Sequence, residues 1–418
     1  MLDLVALLGW PVILISVIAI AGMIFWPRRA QEWIWAAGGA ALLVLLGAIS
    51  PTQALAAVMR GRDVYAFLVG IMALAELARH ERLFDWLATR VLDAAGGSQR
   101  RLFTLVYLLG AGVTALLCND TTAIVLTPAI SAALVRTDAD PSPYLFACAF
   151  VANAASFIFP ISNPANLVVF GPHLPALHVW LADFALASLA AIIVTYFGLR
   201  LFFRADLQSA YRVRAQPAPL PAAAALSGAA IGIAALALVI AATLRLDVGI
   251  TALAGAIACA AVVSLRERGV LAFVARHVAW QIVPLVAGLF VIVAALDRAG
   301  VIDLLRLFFH HAQSLGYGPG NLLSALLLTA ADNVFNNLPV ALASGFALQS
   351  APVSPAIAHA ALVAVDLGPN VSVTGSLATM LWLIALRREG FRVRPVVFLG
   401  IGLAITLPAM ALAVLLVR

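Results

Sequence analysis

The chain has 418 residues, of which 64% are hydrophobic and only 11% charged. With a mean hydropathy of +1.06, it is excluded from the water-soluble globular class, where about a quarter of residues carry charge. The pI near 9.8 does not point to nucleic acid. All 25 basic residues are arginine, and most stand in short loops between apolar runs, where membrane topology places them.

At about 20 apolar residues per crossing, spans are predicted near 4–26, 32–49, 63–79, 144–170 and 178–203. A second set follows near 222–243, 248–265, 280–297, 354–386 and 395–417. The first span has Asp3 and no basic residue before it, and Arg28 and Arg29 after it, so it reads as a retained helix and not a cleaved signal peptide. Two further apolar stretches, 101–136 and 319–350, are interrupted at the centre by polar residues and are predicted to be re-entrant hairpins. Ahead of each lies an amphipathic segment, 81–97 and 301–316, expected to rest at the interface. The fold class expected is an all-α polytopic membrane protein of two inverted repeats, each with five crossings and one hairpin. The repeats are residues 1–203 and 222–418, joined by a polar, Pro-rich cytoplasmic linker, 204–221.

Orientation follows from the arginines. If odd-numbered spans end in the cytoplasm, every arginine falls on that side except Arg60, Arg62, Arg245, Arg298, Arg306 and Arg418. The positive-inside rule then puts both termini on the non-cytoplasmic side of a bacterial-type inner membrane. Counting either hairpin as two full crossings would spoil this segregation.

The two halves also correspond in register. A shift of 218 residues lays Gly70 on Gly288, Asp85 on Asp303 and "CNDTTA" (118–123) on "NNLPVA" (336–341). A shift of 213 lays "NAASFIFPISNPAN" (153–166) on "DLGPNVSVTGSLAT" (366–379). Five crossings per repeat, an odd number, inverts the second relative to the first. Inverted repeats with interrupted helices are the signature of a secondary transporter with its site at the midplane.

Polar residues break the apolar pattern at four places: Asn119–Thr122 and Asn336–Pro339 in the hairpins, Pro160–Asn166 and Asp366–Ser376 in two crossings. Irregular backbone is tolerated at membrane depth only where it is buried in protein or lines a wet cavity. Each break exposes half-helix N–H groups at a positive dipole end and free carbonyls on the other side. Asn, Ser and Thr add donors and acceptors. Such a nest suits a small polar solute, neutral or anionic, with a cation on the carbonyl side. The candidate solute-binding residues are Asn119, Asp120, Thr121, Ser162, Asn163, Asn166, Asn336, Asn337, Thr374, Gly375 and Ser376. Asp120 and Asp366 are the candidate coupling carboxylates, since an isolated charge in hydrocarbon is costly to keep.

Structural alternatives stand beside these assignments. Asn119 with Asp120 is also a helix N-cap, and Asp366 a cap on the half-helix after Pro369. Ser162, Asn163 and Asn166 can serve as interhelical hydrogen-bonding glue. Cys118 reads as packing in preference to a thiol ligand of the solute. Glu76 and Asp332 read as paired or snorkelling, and His310 and His311 as interfacial. The three cysteines, Cys118, Cys148 and Cys259, lack C-x-x-C spacing, so neither a disulfide frame nor a metal site is expected. Neither H-E-x-x-H nor G-x-G-D occurs, which speaks against a membrane-embedded protease.

At these residues the chain resembles the arsenical pump membrane protein family, the arsenite and antimonite efflux carriers of the ion transporter superfamily. The matching pieces are "NDTTAIVLTP" (119–128), "SNPAN" (162–166), "WQIV" (280–283), "NNLP" (336–339) and "DLGPNVSVTGSLATMLWL" (366–383). The resemblance covers nearly the full length. It implies export of neutral arsenic or antimony trihydroxides in exchange for protons, driven by the proton motive force without a bound cofactor, on a scaffold similar to that of sodium-coupled dicarboxylate carriers. It implies a site lined by Asn119, Asp120, Ser162, Asn163, Asn337, Asp366 and Ser376. Family members often carry Asp where this chain has Asn153, which bears on the number of protons and leaves sodium as an alternative coupling ion. The expected partners are the inorganic solute and the lipid bilayer, with no nucleic acid; a soluble ATPase partner is left unassigned. The rival readings are a sodium-coupled carboxylate or oxyanion symporter and a Na+/H+ antiporter on the same scaffold.

Overall fold

The computed structural model describes residues 2–25, 31–212, 222–350 and 353–417. Arg28, Arg29, Arg214, Arg418 and residues 213–221 of the linker lie outside the described residues. Among the described residues the chain is helical, with no strand. The first half runs α1 (Leu2–Phe25), α2 (Glu32–Leu45), α3 (Pro51–Arg60), α4 (Arg62–His80), α5 (Leu83–Ala94), α6 (Gln99–Leu117), α7 (Asn119–Thr121), α8 (Thr127–Leu134), α9 (Ser142–Ala154), α10 (Pro164–Phe170) and α11 (Leu177–Phe202). The second half runs α12 (Ala222–Leu244), α13 (Val248–Ser264), α14 (Val270–His277), α15 (Ile282–Arg298), α16 (Val301–Ser314), α17 (Tyr317–Phe335), α18 (Asn337–Ser350), α19 (Pro355–Leu367), α20 (Leu377–Arg388) and α21 (Pro395–Leu416). Helices α6, α11, α12 and α21 are among those long and apolar enough to cross a bilayer.

Two elements were not anticipated: α3 and α14, short amphipathic helices in matching positions of the two halves. Helix α3 starts at a capping box, Ser50 accepting from the Gln53 N–H while the Gln53 side chain accepts from the Ser50 N–H, which satisfies two otherwise orphaned donors. Their ten and eight residues are too short to cross, so no hydropathy window reveals them.

The halves embrace each other. Helix α4 packs along α13 of the other half, α15 along α2, and α11 along α21. Small residues set the closeness of these contacts, as expected where helices pack in lipid. A Cβ on Gly70 would stand 2.4 Å from the Ala252 backbone carbon, and one on Gly288 would stand 2.5 Å from that of Ala36. These are the two glycines that the 218-residue shift superposes, doing the same work from opposite halves.

The correspondence extends to backbone angles. Both hairpins turn at a non-glycine residue with positive φ: Cys118 (78°) and Asn336 (73°), again 218 apart. Arg82 (φ 57°) and Gly300 (φ 77°) start α5 and α16, the amphipathic helices ahead of each hairpin. The two predicted broken crossings are α9 with α10 and α19 with α20. Pro160 and Pro164 interrupt the first, and Gly368 and Pro369 the second, because proline supplies no N–H and glycine resists helix continuation.

Candidate functional site

In the first hairpin α6 stops at Cys118, and the chain re-enters as α7 followed by a wide π turn, Thr122–Leu126, before α8. The Asn119 side-chain oxygen accepts from the Asp120 N–H at 2.9 Å, a local bond at the first residue of α7. Thr121 Oγ1 donates back to the Leu117 carbonyl at 2.7 Å. Thr114 and Thr122 tie the two arms together at 2.8 Å. Asp120 is only partly buried, and its carboxylate has no hydrogen-bond or ion-pair partner among the described residues. It is the tip's one charged group with free acceptor capacity.

The first broken crossing is held by its own side chains. Ser162 Oγ donates to the Ala115 carbonyl of the hairpin at 3.1 Å. Asn166 Nδ2 donates to the carbonyls of Ser156 (3.0 Å) and Phe159 (3.3 Å). Asn163 caps α10, its oxygen accepting from the Ala165 N–H at 3.0 Å, while its amide donates to Asp366 Oδ1 of the other half at 2.7 Å. That bond makes Asp366 the partner of a facing asparagine. Ser376, the counterpart of Asn163 under the 213-residue shift, caps α20 by accepting from the Thr379 N–H at 3.1 Å. Asn153, which the same shift places on Asp366, donates to Asn370 at 3.0 Å and Thr379 at 3.4 Å.

The second hairpin is bound to the second break. The Asn337 N–H donates to the Gly375 carbonyl at 2.8 Å, and Asn336 Nδ2 to the Thr374 carbonyl at 3.3 Å. Gly375 is required there, since a Cβ would meet Pro369 Cα at 2.6 Å and Asn333 Oδ1 at 2.8 Å. A continuous path of bonds thus runs from the first hairpin through Ser162 to the first break, through Asn163 and Asp366 to the second, and through Gly375 to the second hairpin. The four polar interruptions, spread from Asn119 to Ser376 along the sequence, form one assembly.

The path also sorts the predicted residues. The Thr121 and Ser162 hydroxyls and the Asn166 Nδ2 donate to backbone carbonyls, while Asn166 Oδ1 is buried without a partner. Glu76 does pair, with Arg79 at 2.5 Å, and His310 and His311 are exposed on α16. Cys118 is buried, its Sγ 3.8 Å from Thr121 Oγ1.

Asp332 departs from expectation. It is 0% exposed, and neither carboxylate oxygen has a partner. A Cβ on Gly368 would approach Asp332 Oδ2 to 2.9 Å and Thr329 Oγ1 to 3.0 Å, so glycine lets the acid press against the second break. Asp366 Oδ2 and Asn333 Oδ1 are likewise buried without partners. The sequence signal was available: the 218-residue shift lays Asp332 on Thr114, one turn before each hairpin tip, where each residue's carbonyl accepts the tip N–H (Cys118 3.0 Å, Asn336 2.8 Å).

Comparison with known proteins fits this geometry. The chain is 28% identical over 357 residues to an arsenical pump membrane protein of Escherichia coli, spanning 82% of this chain and 83% of that one. It is 27% identical to the arsenical pump membrane protein of Yersinia enterocolitica over 92% of this chain and 93% of the relative. The Alcanivorax borkumensis YdaH transporter shares the fold, with TM-score 0.53 at 15% identity, covering 92% of this chain and 96% of that one. These relatives are transporters, and the apolar helices make this chain a multi-pass membrane transporter. The citrate transporter family (CitMHS) matches residues 20–375, most of the sequence, and the protein belongs to that family within the ion transporter superfamily.

Proposed function

We propose that this protein exports arsenite and antimonite, as neutral trihydroxides, in exchange for protons by alternating access. The observation that carries the reading is the single bonded assembly of four half-helix breaks, with Asp120 at its edge holding an unpaired, partly accessible carboxylate. A pyramidal trihydroxide offers three hydroxyl groups, each a donor and an acceptor. Asp120 accepts from one hydroxyl, and half-helix N–H groups and the amides of Asn119 and Asn337 donate to the others. Proton and solute compete for the carboxylate. An ionised Asp120 holds the solute on the cytoplasmic side, and protonation on the other side removes the acceptor and releases it. Two inverted repeats let the same breaks face each side in turn. Arsenical pump relatives along nearly the whole length support the choice of solute.

The experiment is arsenite uptake into everted vesicles under an imposed proton gradient. The expected outcome is gradient-driven accumulation in the wild type that Asp120→Asn lowers at least tenfold at equal protein level. Arsenite accumulation that needs no gradient, or that Asp120→Asn leaves unchanged, overturns the coupling role. The family's own description, citrate transporter, favours a second reading, a sodium-coupled carboxylate symporter. Sodium-dependent citrate flux with no arsenite movement decides for it.

A further inference from the structure

The corner between α4 and α5 carries a group of side chains that transport does not use. His80 ends α4, Glu81 caps it, and Arg82 turns the chain into α5. Glu267 comes from the other half, on the turn between α13 and α14. His80 Nε2 lies 3.1 Å from Glu267 Oε1, and one potential ligand atom from each of His80, Glu81 and Glu267 falls within 4.8 Å of the other two. The His80 ring is fixed against Phe273 of α14, with centroids 4.2 Å apart.

Glu81 is the telling member. It is 6% exposed, and its Oε1 is buried without a hydrogen-bond partner. The arginines flanking the His80–Glu81 pair in sequence are engaged elsewhere, Arg79 with Glu76 and Arg82 with Asp85. A buried acceptor beside a like charge is costly unless a cation sits between them.

We propose that His80, Glu81 and Glu267 form a binding site for a divalent transition-metal cation that pins the α4–α5 corner to the α13–α14 turn. One imidazole nitrogen with two carboxylates suits zinc and its first-row neighbours better than magnesium or calcium, which take oxygen alone. Three protein ligands leave a position for water. Ligand atoms at about 2.0–2.2 Å from a metal stand roughly 3–3.5 Å apart, so closing the site asks only for a small rotation of Glu267, whose side chain is 53% exposed. Because α5 packs on α8, the returning arm of the first hairpin, a bound cation stiffens the support of that hairpin. The site does not depend on which solute is carried.

The test is calorimetric titration of the chelator-treated full chain in detergent with zinc, and with magnesium for comparison. One saturable zinc site per chain is expected, at least tenfold tighter than magnesium. Glu81→Gln and Glu267→Gln each lower zinc affinity at least tenfold, whereas Glu267→His, which keeps a ligand, restores most of it. Glu76→Gln, lacking a carboxylate already paired with Arg79, binds as the wild type does. If Glu81→Gln does not elute as a monodisperse species, the Glu267 pair, on the surface turn, decides alone. Absence of saturable zinc binding in the wild type, or affinity indifferent to Glu267→Gln, overturns the proposal.

Discussion

Asp332 shows how little an amino-acid letter says about a carboxylate's surroundings. An acid within an apolar run pairs, snorkels to the interface or stays buried, and the sequence favoured the first two. The fold chose the third, because Gly368 removes the side chain that would have kept the acid away. A buried carboxylate without partners costs several kcal/mol, a load seldom kept except at a working site. Asp332→Asn, which preserves shape while removing the charge, is expected to melt in detergent at or above the wild-type temperature and to lose at least tenfold in gradient-driven arsenite uptake. A variant less stable than wild type but fully active contradicts that assignment. By contrast, the helix interruptions at Asn163, Asp366 and Ser376 were legible, because strings of Asn, Asp, Pro and Ser cannot continue an apolar helix. That Asn163 would face Asp366 across 203 residues of chain was not legible.

At the scale of elements, the hairpin tips and the glycine contacts are the informative pieces. Cys118 and Asn336 occupy positive-φ backbone that a β-branched residue tolerates poorly, at a cost of order 1–3 kcal/mol. Cys118→Gly is therefore expected to keep both stability and arsenite transport, the latter because no thiol ligation is invoked, and Cys118→Val to lose about 2 kcal/mol in thermal unfolding. Transport abolished by Cys118→Gly in a stable protein brings the thiol into the site. Gly70 and Gly288 set how closely α4 and α13, and α15 and α2, approach. Gly70→Ala and Gly288→Ala are each expected to destabilise by about 3 kcal/mol through overpacking. Gly400→Ala, in a helix with nothing within 4 Å of the added carbon, is neutral or slightly stabilising. Equal melting temperatures for the three variants count against close packing of the halves. The amphipathic segments 81–97 and 301–316 were readable by their periodicity, and α5 and α16 occupy them. Helices α3 and α14 were hidden because one short amphipathic turn beside a spanning run merges with it in any hydropathy window.

For the whole molecule, the arginine distribution is the argument that sequence alone supplies. Charge segregation acts during insertion, before tertiary contacts exist, so the side of each loop is written into local composition. A C-terminal alkaline phosphatase fusion is expected to be active outside the cytoplasm, with a fusion in the 204–221 linker inactive; the reverse pattern overturns the orientation. Where the apolar helices lie and where polar residues interrupt them were likewise set by the length and composition of each segment, properties that it carries by itself in a solvent that enforces helix. Which interruptions touch, which carboxylate stays unpaired and which small residues bring backbones together depend on contacts across some two hundred residues. Only the packed structure decides these, because hydrogen-bond partners and close approach are relations between segments, and no single segment contains them.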